Sequence, residues 1–276
     1  MAYGFIPETR NLVRGLAASA FTASPGPADA TRSRLNDKRL DRTYLMVPAV
    51  SAVTLIVDLG SAQQVNTAAV LNHNVAALPD CSIQLMYADD AGFTTGVGIA
   101  ATMTPSTTYA RTKDSACAFN AVTKRYWRFT FAWSGGSSVA ISIGEVVLGV
   151  ATTLSRGGQD GSGETERVRA PTVELANGGT RGIFLAGPVL QNSLVFSDFT
   201  PSQLATLRTL WRDCKGPAVP LLWCDDWVQT SAPSESQQQC IYGHLEMPDF
   251  AWRWSDWQLV KPPDMIIRSQ GREVGA

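Results

Sequence analysis

Apolar residues along this chain come in short runs separated by Gly, Pro, Asn, Asp and Ser. Residues 53–60, Val-Thr-Leu-Ile-Val-Asp-Leu-Gly, are β-branched and stop at a glycine, and residues 67–72 resume after a polar break, so both are expected as strands. Residues 82–87 alternate polar and apolar before the Asp89-Asp90-Ala-Gly92 turn, the pattern of a half-buried strand. Residues 125–131 alternate as well, and 140–148 close the series. No helical period appears before residue 150.

Beyond that point, strands are expected at 183–185, 193–196, 219–224, 239–245, 252–259 and 265–268. One helix stands out. Thr200 offers an N-cap oxygen, Pro201 takes the first helical position, and Leu204, Leu207, Leu210 and Trp211 recur at helical spacing. Lys215-Gly-Pro217 ends it, which predicts a helix over 201–214.

The segment 155–164 has four glycines in ten residues and no large apolar side chain, so it reads as a linker. The pattern divides the chain into an N-terminal arm (1–19), a β-rich domain (20–151), a Gly-rich linker (152–166) and a second β domain (167–276) carrying helix 201–214. The fold class expected is mainly β, two tandem β-sandwiches.

Composition narrows the partners. With 276 residues, the chain is long enough for two cores. A net charge of -1 lacks the basic footprint of a nucleic-acid binder. The longest apolar runs, 51–57 and 139–150, fall well short of the roughly 20 residues a helical membrane crossing needs. The first residues carry no basic segment followed by an apolar core, so synthesis in the cytoplasm without export is expected. The basic residues are 5 Lys and 18 Arg, and 6 of the 8 Trp lie between Trp211 and Trp257. Interfaces favour Arg and Trp and avoid Lys, so that region is expected to be covered by other subunits. The residues concerned are Trp211, Arg212, Trp223, Trp227, Trp252, Arg253, Trp254 and Trp257.

Catalysis finds little support. The chain has two histidines, His73 and His244, for any nucleophile to use as a base. Asp89-Asp90 and Asp225-Asp226 are adjacent pairs whose side chains diverge on a strand, and they read better as turn formers. Asp80, Asp89 and Asp90 are the loop carboxylates that a calcium ion could use. Five cysteines, odd in number and never spaced C-x-x-C, argue against a disulfide framework. Cys214, Cys224, Cys240 and His244 form the one set with zinc or iron–sulfur donor chemistry, although their wide spacing favours ordinary buried thiols and no cofactor is expected.

Residues 54–60, 69–74, 83–90, 125–130 and 143–149 together resemble the galactose-binding-like jelly roll of the discoidin class, in that family's order. The resemblance implies a β-sandwich over about residues 20–150, with carbohydrate contacts from loop residues; Asn72, His73, Asn74, Arg111 and Trp133 lie near strand ends and are the candidates, with core or turn roles as the alternative. Residues 192–200, the helix, 216–226 and 241–246 resemble the β-sandwich modules of minor tail and tail-tip proteins of long-tailed bacteriophages. That resemblance implies a non-enzymatic structural component of a tail tip or baseplate. It would be made in the host cytoplasm and incorporated in the virion, ringed around tail tube or hub beside copies of itself, with host glycans as a further contact. A free-standing carbohydrate-binding module acting in adhesion is the second function class the residues allow, and an accessory of a cell-wall hydrolase is a third.

Overall fold

The computed structural model describes residues 2–24, 30–40, 42–103, 105, 114–136, 138–155, 163–167, 172–174, 181–183, 189–194, 199–224, 240–246, 253–256, 259–261 and 265–269. The described chain is mainly β. Its strands are β1 (Ala2–Pro7), β2 (Phe21–Ser24), β3 (Tyr44–Leu45), β4 (Ala52–Leu71), β5 (Ser82–Ala88), β6 (Gly98–Met103), β7 (Ser115–Ala132), β8 (Ser142–Ile143), β9 (Glu145–Gly149) and β10 (Thr152–Ser155). They continue with β11 (Gly163–Arg167), β12 (Thr172–Glu174), β13 (Arg181–Ile183), β14 (Val189–Leu194), β15 (Leu221–Cys224), β16 (Cys240–Glu246), β17 (Arg253–Asp256), β18 (Leu259–Lys261) and β19 (Met265–Ser269), with helix α1 (Pro201–Asp213) between β14 and β15.

The first half is a β-sandwich, as the strand pattern led one to expect. Its main sheet runs β2-β4-β7-β5-β6, with β9 joining the far half of β4. Alternation decides the faces: Val53, Leu55 and Val57 of β4 point inward beside Trp127, Phe129 and Phe131 of β7 and Ile83 and Leu85 of β5. The facing layer is thinner. It consists of the β3–β8 pair, the Ala49–Val139 bridge and a 3-10 segment at Ala30–Asn36, which deliver Leu35, Tyr44, Met46, Ile141 and Ile143 to the same core.

The far end of β4, the start of β7, and β9 are buried on both faces. Ala68, Val70, Cys117, Phe119, Val146 and Leu148 join the sandwich core, whereas Ala69, Leu71, Ala116, Ala118 and Val147 point the other way, into a second cluster. Four alanines here keep the sheet thin enough for another sheet to stack closely on it. Double burial also erases the polar alternation that marks a half-exposed strand.

That other sheet has seven antiparallel strands in the order β10-β1-β15-β16-β19-β14-β11. Its Ile6, Leu222, Cys224, Cys240 and Tyr242 meet the first half, while Phe5, Leu221, Trp223, Leu245, Met265 and Ile267 face α1. The helix forms as its sequence predicts. Gln203 N–H donates to Thr200 Oγ1 (3.3 Å), Thr200 N–H donates to Gln203 Oε1 (2.9 Å), and Leu204, Leu207 and Leu210 pack downward. Cys214 is the C-cap, and Lys215 reverses the chain at φ +50°.

Two boundaries read from sequence are corrected. Residues 2–7 of the expected arm are a strand between β10 and β15, and both ends of the expected linker 152–166 are strands, β10 and the start of β11. The second sheet is therefore assembled from residues on both sides of the first half. A sheet covered by α1 on one face and by the sandwich on the other buries Phe5 and Ile6 alike, so β1 carries no alternation to be read. The expected strand over 252–259 is the short antiparallel pair β17–β18, irregular between Trp254 and Asp256.

Candidate functional site

The strand-end residues expected to meet a glycan are turned to structural work. Asn72 takes φ +50°, its backbone N–H donates to Asp114 Oδ1 (2.9 Å), and its side-chain amide donates to Leu40 O (2.5 Å). His73 Nε2 lies 2.9 Å from Ser115 Oγ in the interior, and Asn74 bridges Ala140 O and Ser142 N. Asn72, His73 and Trp133 are buried, so they are corrected to a buried turn and a core indole; Arg111 lies outside the described residues. Flanking asparagines signalled the turn, and the burial came from Leu40 and Ser115, remote in sequence.

A half-buried cluster does form on the outer face of the sandwich sheet. Register places Arg128 between Ile56 of β4 and Met86 of β5, with Ile99 of β6 beyond. Arg128 Nη2 is 3.0 Å from Met86 Sδ, and the guanidinium stacks 4.3 Å over the centre of the Phe93 ring. Phe93 comes from the β5–β6 turn, in the left-handed region at φ +54°. Asp90 holds that turn by accepting from the backbone N–H and hydroxyl of both Thr94 and Thr95, at 2.6–3.2 Å. Those donors keep the Asp90 carboxyl well below its usual range. Lys124 Nζ braces Asp89 at 2.7 Å, and Gly96 takes φ +58°, a left-handed conformation that favours glycine, close against that pair. Nearby, Arg125 grips Asp58 with two hydrogen bonds (2.7 and 2.8 Å) and stacks on Tyr126 at 4.8 Å. That grip lowers the Asp58 carboxyl.

The ring on a fixed turn, beside a guanidinium and a thioether on the strands, can take a ligand with an apolar face and hydroxyl acceptors. Arg128 lay within a recognised strand motif, but nothing in the sequence paired it with Phe93 across 35 residues.

The carboxylates proposed for calcium do not converge. Asp80 accepts from Ser134 Oγ (2.7 Å), Asp89 is paired with Lys124, and Asp90 is spent on its threonines. The thiol and imidazole set is divided by the second sheet: Cys214 lies on the α1 side, Cys224 and Cys240 on the opposite side, and His244 Nδ1 is 2.9 Å from Pro217 O. Among the described residues no group of three His, Cys, Asp or Glu is placed to hold a metal ion. Burial, helped by the Asp213 charge, pushes the Cys214 thiol up to about 12, where it is inert.

Trp223 is corrected from an interface residue to the core beneath α1, because strand β15 carries it inside. Trp211 is half-buried against that core and Arg212 is exposed. Trp227, Trp252 and Trp257 lie outside the described residues; Arg253 and Trp254 are on β17.

The two halves also share a buried polar network that sequence reading missed. Glu8, just after β1, accepts from Tyr242 OH at Oε2 (2.8 Å) and from Asn11 Nδ2 at Oε1 (3.1 Å), with Arg14 Nη1 3.9 Å away. Asn11 also donates to Val146 O and accepts from Leu148 N–H, tying the turn to β9. Glu145, wholly buried, takes one hydrogen bond from Lys38 N–H to Oε2 (3.0 Å), while its Oε1 has no partner. Desolvation raises both carboxyls and Tyr242, and the Glu8 charge pushes Glu145 further up.

No protein-family model matches the chain, and no curated protein matches it. Among solved structures it is similar to chitosan-binding module 1 of a chitosanase/glucanase from Paenibacillus sp. IK-5, at 24% identity over 50% of this chain and 97% of that one, with a TM-score of 0.39. It is also similar to the third CBM32 of a family 31 glycoside hydrolase from Clostridium perfringens (18% identity, 49% of this chain, 93% of that one, TM-score 0.37). A third is the CBM32 of AlyQ solved with 4,5-unsaturated mannuronic acid (22% identity, 47% and 92%, TM-score 0.34).

Proposed function

We propose that this chain is a non-enzymatic carbohydrate-binding protein. In this reading the sandwich holds a sugar against the Phe93–Arg128 face, and the second half serves as its mount. The observation that carries it is the Asp90-braced turn, which fixes an aromatic ring in a left-handed conformation over a guanidinium on an open sheet face. A pyranose presents C–H groups on one side and hydroxyl oxygens at its rim, which match ring and guanidinium respectively. Glycan-array binding tests it, with Phe93→Gly as the variant, since glycine adopts φ +54° without strain and removes only the ring. Binding weakened about 5- to 150-fold at unchanged melting temperature is expected, the loss of one stacking contact of about 1–3 kcal/mol. An array without a hit, or unchanged binding by the variant, overturns the reading.

A second reading, a structural subunit of a phage tail tip built from copies of this chain, is favoured by the edge of the same sheet. Ile99 of strand β6 is 57% exposed and Val97, just before it, 42%, and residues 91–110 contain no charged side chain. Soluble proteins usually guard such an edge with Lys, Pro or a bulge; β6 has a register shift at Ala100 but no charged side chain, and its exposed apolar residues suit assembly between copies. Light scattering is expected to show an oligomer that Ile99→Lys reduces to monomer; a monomer at high concentration for the unaltered chain rules this reading out.

A further inference from the structure

The register of the second sheet sets Cys224 directly opposite Cys240 on neighbouring antiparallel strands, β15 and β16. Directly opposed residues project to the same face, and both side chains are buried in the cluster between the two halves, with Ile6, Leu222 and Tyr242. Opposed pairs have Cα atoms about 4.5 or 5.5 Å apart, and both spacings lie within the roughly 4.4–6.8 Å window of a disulfide. The remaining thiols are placed differently. Cys214 is on the far face of the sheet, and Cys81 and Cys117 lie in the sandwich core.

We infer that Cys224 and Cys240 are a redox pair that closes into an intramolecular disulfide in oxidising surroundings. With a peroxide as oxidant, one thiolate attacks the O–O bond and becomes a sulfenic acid, releasing the first water. The second thiol then displaces the sulfenic hydroxyl as the second water, so one Sγ–Sγ bond replaces two S–H bonds and two electrons reduce the peroxide. The bond spans the fifteen residues 225–239 and fixes the base of that connection where the sheet meets the first half. Wide sequence spacing hid the pair, because only the strand register brings positions sixteen apart into opposition.

The test counts thiols. Protein prepared under reductant is treated with hydrogen peroxide, both in the native state and during refolding, then denatured and labelled with N-ethylmaleimide. The unaltered chain is expected to drop from five labels to three in at least one of the two treatments, with peptide mapping linking Cys224 to Cys240. Cys224→Ser and Cys240→Ser each keep four labels in all conditions. Five labels after both treatments, or a link mapped to another pair of cysteines, overturns the inference.

Discussion

Deletion of residues 2–7 is expected to abolish folding of the second half of the protein. Strand β1 is hydrogen-bonded on both sides, to β10 through Ala2–Phe5 and to β15 through Gly4–Pro7. Its Phe5 and Ile6 are buried on opposite faces, one under α1 and the other against the sandwich. Truncating a buried Phe costs about 3–5 kcal/mol and a buried Ile about 2–5 kcal/mol. Their sum approaches the whole stability of a typical domain, about 5–15 kcal/mol, before the orphaned backbone groups of β10 and β15 are added. Circular dichroism and thermal melting should show lost strand signal and the loss or severe lowering of the cooperative transition. A truncated chain melting within a few degrees of the full one would show that β1 is dispensable.

Stability is expected to fall as pH rises above about 5, the reverse of ordinary acid denaturation. The folded pKa of Glu145 lies well above the usual 4.5 because the group is buried and Glu8 repels its charge, with Asp37 adding to the repulsion and Arg14 opposing it. Glu8 is raised as well, by burial against the opposing effects of Tyr242, Asn11, Arg14 and Lys38. A carboxyl raised in the folded state contributes fully below its unfolded pKa, and that contribution drains away as pH climbs toward the folded value. The slope is about 1.4 kcal/mol per pH unit for each proton the folded state retains. Denaturant unfolding at pH 5 and pH 8 should show the loss. Glu145→Gln, which has no proton to lose, should flatten the dependence and be the more stable form at pH 8. Equal stability of the unaltered protein at the two pH values would mean that Glu145 is charged in the fold.

What the sequence disclosed depended on how each element is covered. Strand β5, the first part of β4 and the last part of β7 were visible because one face of each meets solvent, leaving Thr54, Gln84 and Thr130 between inward apolar residues. Helix α1 was visible through Thr200, Pro201 and its leucine spacing, which are local signals. Strand β1 was missed because neither face is wet, and β10 because its four residues gain meaning only beside β1. The candidate site was less legible still. Asn72, His73 and Asn74 looked like ligands because polar residues at a strand end usually face water, but Leu40 and Ser115 arrive from elsewhere and enclose them. Phe93 and Arg128 are ordinary in sequence and become a pair only through the turn that Asp90 holds. Glu8, after a proline in a short apolar stretch, gave no sign that it would meet Tyr242 at a sequence separation of 234.

The place of β1 also governs the order in which the protein can be built. Residues 2–7 leave the ribosome well before their partner β15, residues 221–224, which is made more than two hundred residues later. At about 5–20 residues per second, the β15 edge of β1 waits roughly ten seconds or more while the sandwich behind it folds, although β10, residues 152–155, is made sooner for the other edge. Closure of the second sheet is therefore a late, long-range event, slow for the same reason that contacts distant in sequence slow folding generally. Until β15 arrives the nascent chain has at least one open edge of β1 to shield, so a holdase should matter more for yield than for the stability of the finished fold.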